Sequence, residues 1–188
     1  HSSPRRQRQM CIRDRLLRFD IVTAHLGTAL LYFTTLLVIG MSMVQYKGTG
    51  NVGKLPWVGL TAAVLVYLQS LLGGLVASRW ALHQCFGIAE LCRVMNSHLA
   101  GVVPPTLAVI TLVVMVWRTS ALHPLLRNLA NLSCLLVLIQ IGLGVMTFRL
   151  RLQIELLTVS HQAVGAALLG TLVAFTVIAL RDRQVINV

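Results

Sequence analysis

A chain of 188 residues that is 56% hydrophobic and only 11% charged, with a mean hydropathy of +0.80, cannot cover a water-facing surface; a soluble domain carries roughly 25% charged residues, so the solvent for most of this chain is lipid. The net charge of +11 does not point to nucleic acid. The basic residues lie at the ends of apolar stretches, not in a stripe with interleaved aromatics, and that placement is what membrane topology and anionic headgroups favour.

The first fifteen residues, HSSPRRQRQMCIRDR, differ from everything after them. They hold five arginines, no apolar run and no hydrophobic signal core, and they resemble translated adapter sequence from the ends of assembled sequencing reads. Residues 1–15, with Cys11, are set aside as a non-native leader, and the natural protein is expected to begin further upstream. A basic cytoplasmic tail is the alternative reading.

Five stretches free of Asp, Glu, Lys and Arg follow: Ile21 to Tyr46, Leu55 to Ser78, Val94 to Trp117, Asn128 to Phe148 and Leu156 to Leu180, each of 21 or more residues. About 20 residues at a 1.5 Å rise cross a hydrocarbon core of about 30 Å. Within lipid the backbone must bond to itself, and the roughly ten-residue alternating segments of a strand barrel are absent, so these are predicted to be five transmembrane helices. Pro104 and Pro105 lie inside the third and should kink it.

The connections differ in character. QYKGTGNVGKLP is a Gly-rich turn, RTSALHPLLR is short and basic, RLRLQIE is short, and RWALHQCFGIAELCR is the longest, with periodicity enough for a short interfacial helix. Five spans fix which ends share a membrane face. One face carries Arg18, Arg79, Arg93, Arg149 and Arg151; the other carries Lys47, Lys54, Arg118, Arg127, Arg181 and Arg183. The balance leans toward the second face being cytoplasmic.

The chain also echoes itself. The first span reads TAHLGTALL and the fifth TVSHQAVGAALL. The second pairs Gln69 with Gly73 and the fourth pairs Gln140 with Gly144. An even number of helices separates each match, so matched pieces run the same way, which suggests two parallel four-helix halves with only the last helix of the first half present.

His25, His98 and His161 stand at the fifth or sixth position of the first, third and fifth spans, which all enter from one face. The three imidazoles therefore share a depth roughly 6 Å inside the boundary. Ionisable residues inside spans are costly and usually functional. Two imidazoles at one height on neighbouring helices can hold a haem iron from both sides. Small residues follow each on the same helix face: Ala29, Gly101 and Gly165. They clear room for a flat macrocycle, or they simply allow close helix packing.

Cys85 and Cys92 lie in the long loop on the histidine face. Zinc binding, a redox pair, free thiols and a disulfide are all open. A disulfide fits a two-turn loop best and would put this face in an oxidising compartment. Arg79, Arg149 and Arg151 end the second and fourth spans there, placed to pair with haem propionates or to anchor the helix ends at the interface. Cys134 reads as core packing. His83 lies near enough to the site to matter and His123 lies on the wrong face. Glu90 and Glu155 have no partner spacing, and neither a hydrolase triad nor a phosphate-cradling loop is evident.

VTAHLGTALL, LQSLLGGLVASRWALHQC, the pair Cys85 and Cys92, MNSHLAGVVPP and LTVSHQAVGAALLGTLVAF together resemble, in order and spacing, the last five helices of the haem A synthase family, in its cyanobacterial type. The resemblance covers Leu16 to Arg183. It implies an all-α membrane protein built as one complete four-helix bundle half, residues 58–183, preceded by the last helix of a missing half, 16–46, with a cytoplasmic linker, 47–57, and a tail, 184–188. It implies that His98 and His161 hold a haem b, that His25 belongs to the site of the substrate haem O, and that Cys85 and Cys92 match a pair of loop cysteines outside the cytoplasm. The family's reaction converts the C8 methyl of haem O to a formyl group, giving haem A for terminal oxidases.

The partners implied are the lipid bilayer of the cell membrane, haem O with the haem O synthase that makes it, and the assembling terminal oxidase. Nucleic acid is not among them, and a homo-oligomer is left open. The family's first three helices have no counterpart here, so the chain as it stands is expected to bind haem b without converting haem O. Two other readings are a bis-histidine cytochrome b used only for electron transfer and a haem-free transporter or assembly module.

Overall fold

The computed structural model describes residues 19–77, 89–150 and 153–184. These form six helices and, among the described residues, no strand: α1 (Phe19–Met43), α2 (Leu55–Ala77), α3 (Ala89–Ala100), α4 (Val103–Arg118), α5 (Pro124–Arg149) and α6 (Glu155–Gln184). Five segments are long and apolar enough to cross a bilayer: Ile21–Met43, Leu55–Val76, Arg93–Arg118, Pro124–Arg149 and Glu155–Arg183. The chain is a multi-pass membrane protein, as its composition requires. Its threonines conform to that solvent. The hydroxyls of Thr28, Thr61, Thr106, Thr147, Thr171 and Thr176 each donate to the carbonyl four residues earlier, which satisfies a polar group within its own helix.

The third span is broken, not merely kinked. α3 stops at Ala100, a turn covers Gly101 and Val102, and α4 begins with Pro104 and Pro105 in its first turn. Proline lacks the N–H that a first turn leaves unpaired, so it starts a helix without cost where it would disrupt an interior. The break lies just ahead of the prolines because neither can donate to the carbonyl four residues back, those of Ala100 and Gly101.

α2, α4, α5 and α6 form the bundle. α2 packs on α4, α4 on α5, α5 on α6 and α6 on α2, which leaves α2 facing α5 and α4 facing α6 across the diagonals; α1 lies outside, in the groove between α2 and α6. α6 is the hub, with Leu168, Leu169, Leu172, Phe175, Ile178 and Ala179 buried against Ala62, Ala63 and Val66 of α2, Val109, Leu112 and Val116 of α4, and Leu126 and Ala130 of α5. Close approach of α2 to α6 depends on Gly59, where a Cβ would stand 2.9 Å from both the Phe175 ring and the Thr176 hydroxyl. Much of α1 faces outward, with Leu31, Tyr32, Leu36 and Ile39 exposed, as is normal where the surroundings are hydrocarbon.

One carboxylate fastens the end opposite the histidines. Asp182, fully buried near the end of α6, accepts from the backbone N–H groups of Thr49 (2.8 Å) and Gly50 (2.5 Å) and from the Tyr46 hydroxyl (2.5 Å). The α1–α2 loop is thereby tied to the last helix. Gly50 has φ +77°, a left-handed turn that glycine adopts without penalty and that aims its N–H at the carboxylate. Arg181 adds a bond from Nη1 to the Met41 carbonyl at 2.7 Å and stands 6.0 Å from the centre of the Tyr46 ring. His123 packs on that ring with centroids 4.8 Å apart and caps α5 by accepting from Leu125 N–H at 3.2 Å.

Burial, and then the bond to Asp182, raise the Tyr46 phenol well above its ordinary value. A free tyrosine ionises near pH 10, so the unfolded chain loses this proton before the folded one. The stabilisation from Tyr46 is therefore complete below pH 10 and declines above it, as the unfolded state ionises while the folded state stays neutral. In thermal melts of the detergent-solubilised protein, the Tm should be flat toward pH 9 and fall between pH 10 and 11. Tyr46→Phe should lower the plateau and remove most of that fall; an equal fall in the variant would mean that the phenol does not govern it.

Candidate functional site

At the other end of the bundle the two diagonals meet in polar residues. α3 carries His98 in its last turn and α6 carries His161 in its second turn. The two rings meet at this end of the bundle, with centroids 6.5 Å apart and planes crossing at 84°. Both residues are half-buried.

Each imidazole is gripped from the neighbouring helix. Gln69 of α2 places its amide nitrogen 3.0 Å from His98 Nδ1 and donates to the His98 carbonyl at 2.7 Å. Gln140 of α5 places its amide nitrogen 3.4 Å from His161 Nε2. One turn further along each glutamine's helix is a glycine on which the ring edge rests. A Cβ at Gly73 would lie 3.0 Å from His98 Cε1, and one at Gly144 would lie 3.1 Å from His161 Cε1. The glutamines rest on glycines in turn: a Cβ at Gly101 would collide with the Gln69 amide oxygen, and one at Gly165 would stand 3.1 Å from the Gln140 amide nitrogen. The site is thus built twice, once by α2 with α3 and once by α5 with α6. The echo between the second and fourth spans falls inside this one bundle, as a repeated helix pair.

Three atoms at the site are buried without a hydrogen-bond partner among the described residues: Gln69 Oε1, Gln140 Oε1 and His161 Nδ1. Each such atom costs on the order of 1–3 kcal/mol, and native structures concentrate such unmet capacity where a ligand or a function uses it. Among the described residues no three His, Cys, Asp or Glu gather, so a metal at the histidine pair would draw two ligands from them.

The other residues singled out from the sequence fare differently. His25 is exposed on α1, and among the described residues no bond ties it to the pair. Arg149 is exposed at the end of α5. Arg79, Arg151, His83 and Cys85 lie outside the described residues; Cys92 falls within α3, but its side chain also lies outside them, and with it the pairing of the two cysteines. Cys134 is a free thiol, half-buried on α5. What sequence reading did not find is the glutamine grip and the Asp182 fastening. The first had a visible signal in the repeated Gln-x3-Gly, read as a trace of duplication and not as part of the site. The second had only an aspartate between two arginines.

A family profile described as cytochrome oxidase assembly protein, COX15-CtaA, matches residues 18–173. No curated protein and no solved structure matches the chain.

Proposed function

The chain belongs to the COX15-CtaA family of cytochrome oxidase assembly proteins, and from that premise we propose that it is a haem A synthase-type membrane oxidoreductase in which His98 and His161 hold a haem b between them. The observation that supports this most is the ring pair, 6.5 Å between centroids. With metal–nitrogen bonds of about 2.0 Å, two imidazoles on opposite sides of one ion have centroids roughly 6 Å apart. The donor set fits as well: two neutral nitrogen ligands from α3 and α6, glycines where the rings rest, and polar capacity left unmet at the site. A haem held by His98 and His161 would supply one-electron transfer, the chemistry suited to an iron with both protein ligands committed.

The remaining assignments follow from the same reading. The substrate is haem O, whose C8 methyl becomes the formyl group of haem A, and His25, exposed on α1, belongs to its site. Arg149 ends α5, and with Arg79 and Arg151 it is the residue set we assign to the haem propionates, since guanidinium pairs bidentately with carboxylate. The histidine end faces away from the cytoplasm of the cell membrane, and Cys85 and Cys92 form a disulfide there. Haem O synthase and the assembling terminal oxidase are the partners.

The test is a reduced-minus-oxidised difference spectrum of the purified chain in detergent, with extraction and chromatography of the pigment. A Soret band from bound haem b is the expected result. A preparation made with ample haem supply that shows no Soret band would remove the proposal.

A further inference from the structure

We propose that Gln69 and Gln140 are positioning residues for the two imidazoles: Gln69 fixes His98 by gripping its backbone carbonyl beside the ring, and Gln140, through its amide oxygen, accepts the N–H that a metal-bound His161 presents. This rests on the haem reading above.

The argument begins at the break in the third span. In an unbroken helix the His98 carbonyl would accept from the N–H of Val102. Here the backbone turns, and the Val102 N–H goes to the Leu99 carbonyl at 3.5 Å instead. The His98 carbonyl is released, and Gln69 donates to it at 2.7 Å. That bond fixes the glutamine against the very residue whose ring it must orient, with Nδ1 only 3.0 Å from the same amide nitrogen. The turn at Gly101 and Val102 thus frees the carbonyl that the glutamine grips.

The second step is proton placement. A neutral imidazole that gives one nitrogen to a metal carries its proton on the other, and that N–H needs an acceptor, which fixes tautomer and ring orientation. At each histidine the described residues leave an amide oxygen buried and unpartnered, Gln69 Oε1 and Gln140 Oε1. The terminal torsion of glutamine is broad and roughly two-fold. At Gln140 a half-turn therefore exchanges the amide nitrogen now at the ring for the oxygen, whereas Gln69 is held as it stands by its bond to the His98 carbonyl. The small residues Gly101 and Gly165 leave the amides room, since a Cβ at either would press on them.

The third step is repetition. Gln69 with Gly73 and Gln140 with Gly144 lie on opposite helices of the bundle, and each serves the histidine of the next helix in sequence. The ring nitrogen met differs, Nδ1 of His98 and Nε2 of His161; what recurs is a glutamine with a glycine one turn on, set on the helix beside each ring.

The full chain, purified with haem, tests this through Gln69→Leu, Gln140→Leu and Gln140→Glu. The leucines keep the bulk and remove the polar grip; the glutamate strengthens the acceptor at His161. Expected for each leucine variant is haem affinity lower by roughly 10–100-fold, as for other lost supporting partners. The remaining haem should show an altered low-spin electron paramagnetic resonance spectrum. Expected for Gln140→Glu is near wild-type haem content with a lower midpoint potential, because a carboxylate draws the imidazole proton and favours the oxidised iron. Leucine variants with wild-type affinity, resonance spectrum and potential would overturn the glutamine role while leaving the histidine ligands standing, and so would an unchanged potential in Gln140→Glu. A wild-type chain that takes up no haem overturns both.

Discussion

Replacing either His98 or His161 with alanine should empty the chain of haem b. Each imidazole supplies one of only two protein ligands available to a metal at this point among the described residues. A single remaining ligand leaves one side of the iron open, and the loss should exceed the roughly 10–100-fold typical of removing a supporting partner. Neither change should unfold the protein. Both positions are helical and half-buried, and alanine is the strongest helix former. His25→Ala, by contrast, should keep its haem b, because that residue is exposed on α1 outside the bundle. The measurement is haem per protein by pyridine haemochrome in the three variants, alongside circular dichroism. Full haem content in both His98→Ala and His161→Ala would remove the pair as ligands.

Asp182→Ala should be the most destabilising single change at the opposite end. The carboxylate receives two backbone N–H groups and a phenol while fully buried. Alanine leaves those donors unpaired and opens a cavity between the loop and α6. Hydrogen bonds to charged groups contribute about 1.5–3 kcal/mol each, and orphaned buried donors add their desolvation cost, so a loss of roughly 3–5 kcal/mol is expected. Asp182→Asn retains one acceptor oxygen and should fall between. Thermal melts in detergent would show this as a Tm well below wild type for the alanine and an intermediate value for the asparagine. A melt unchanged in Asp182→Ala would show that the loop does not depend on it. Haem content need not follow, since the carboxylate and the histidines occupy opposite ends.

The spans were legible because lipid imposes a rule that the chain cannot evade: a run of 20 or so uncharged apolar residues has one stable form there. The five predicted stretches coincide with the five observed ones to within a few residues at most ends. The common depth of the three histidines was legible for a related reason, since it is a matter of counting along helices that enter from one face; the choice of His98 with His161 came from the family resemblance. Depth does not reveal azimuth. Nothing in the spacing of Gln69 or Gln140 says which neighbour each helix turns toward, so their relation to the rings appears only when α2 meets α3 and α5 meets α6. His25 shows the same limit: it shares the predicted depth, yet α1 lies outside the bundle and the side chain is exposed. The third span was expected to bend at Pro104 and Pro105; the structure interrupts it one turn earlier, because prolines begin a helix more readily than they continue one. Asp182 was hidden by its neighbours. Set between Arg181 and Arg183 it reads as part of a solvated helix end, and only the fold brings Tyr46, Thr49 and Gly50 to it.

The interval between Asp182 and the loop it fastens also bears on how the protein is made. The bond from Thr49 spans 133 residues of sequence. At ribosomal rates of about 5–20 residues per second, the first turn waits on the order of ten seconds for its acceptor. Until the final helix leaves the insertion machinery, that turn presents bare amides at the membrane surface. A nascent chain stalled before α6 would therefore carry an open segment there, and closure of the turn would mark the arrival of α6.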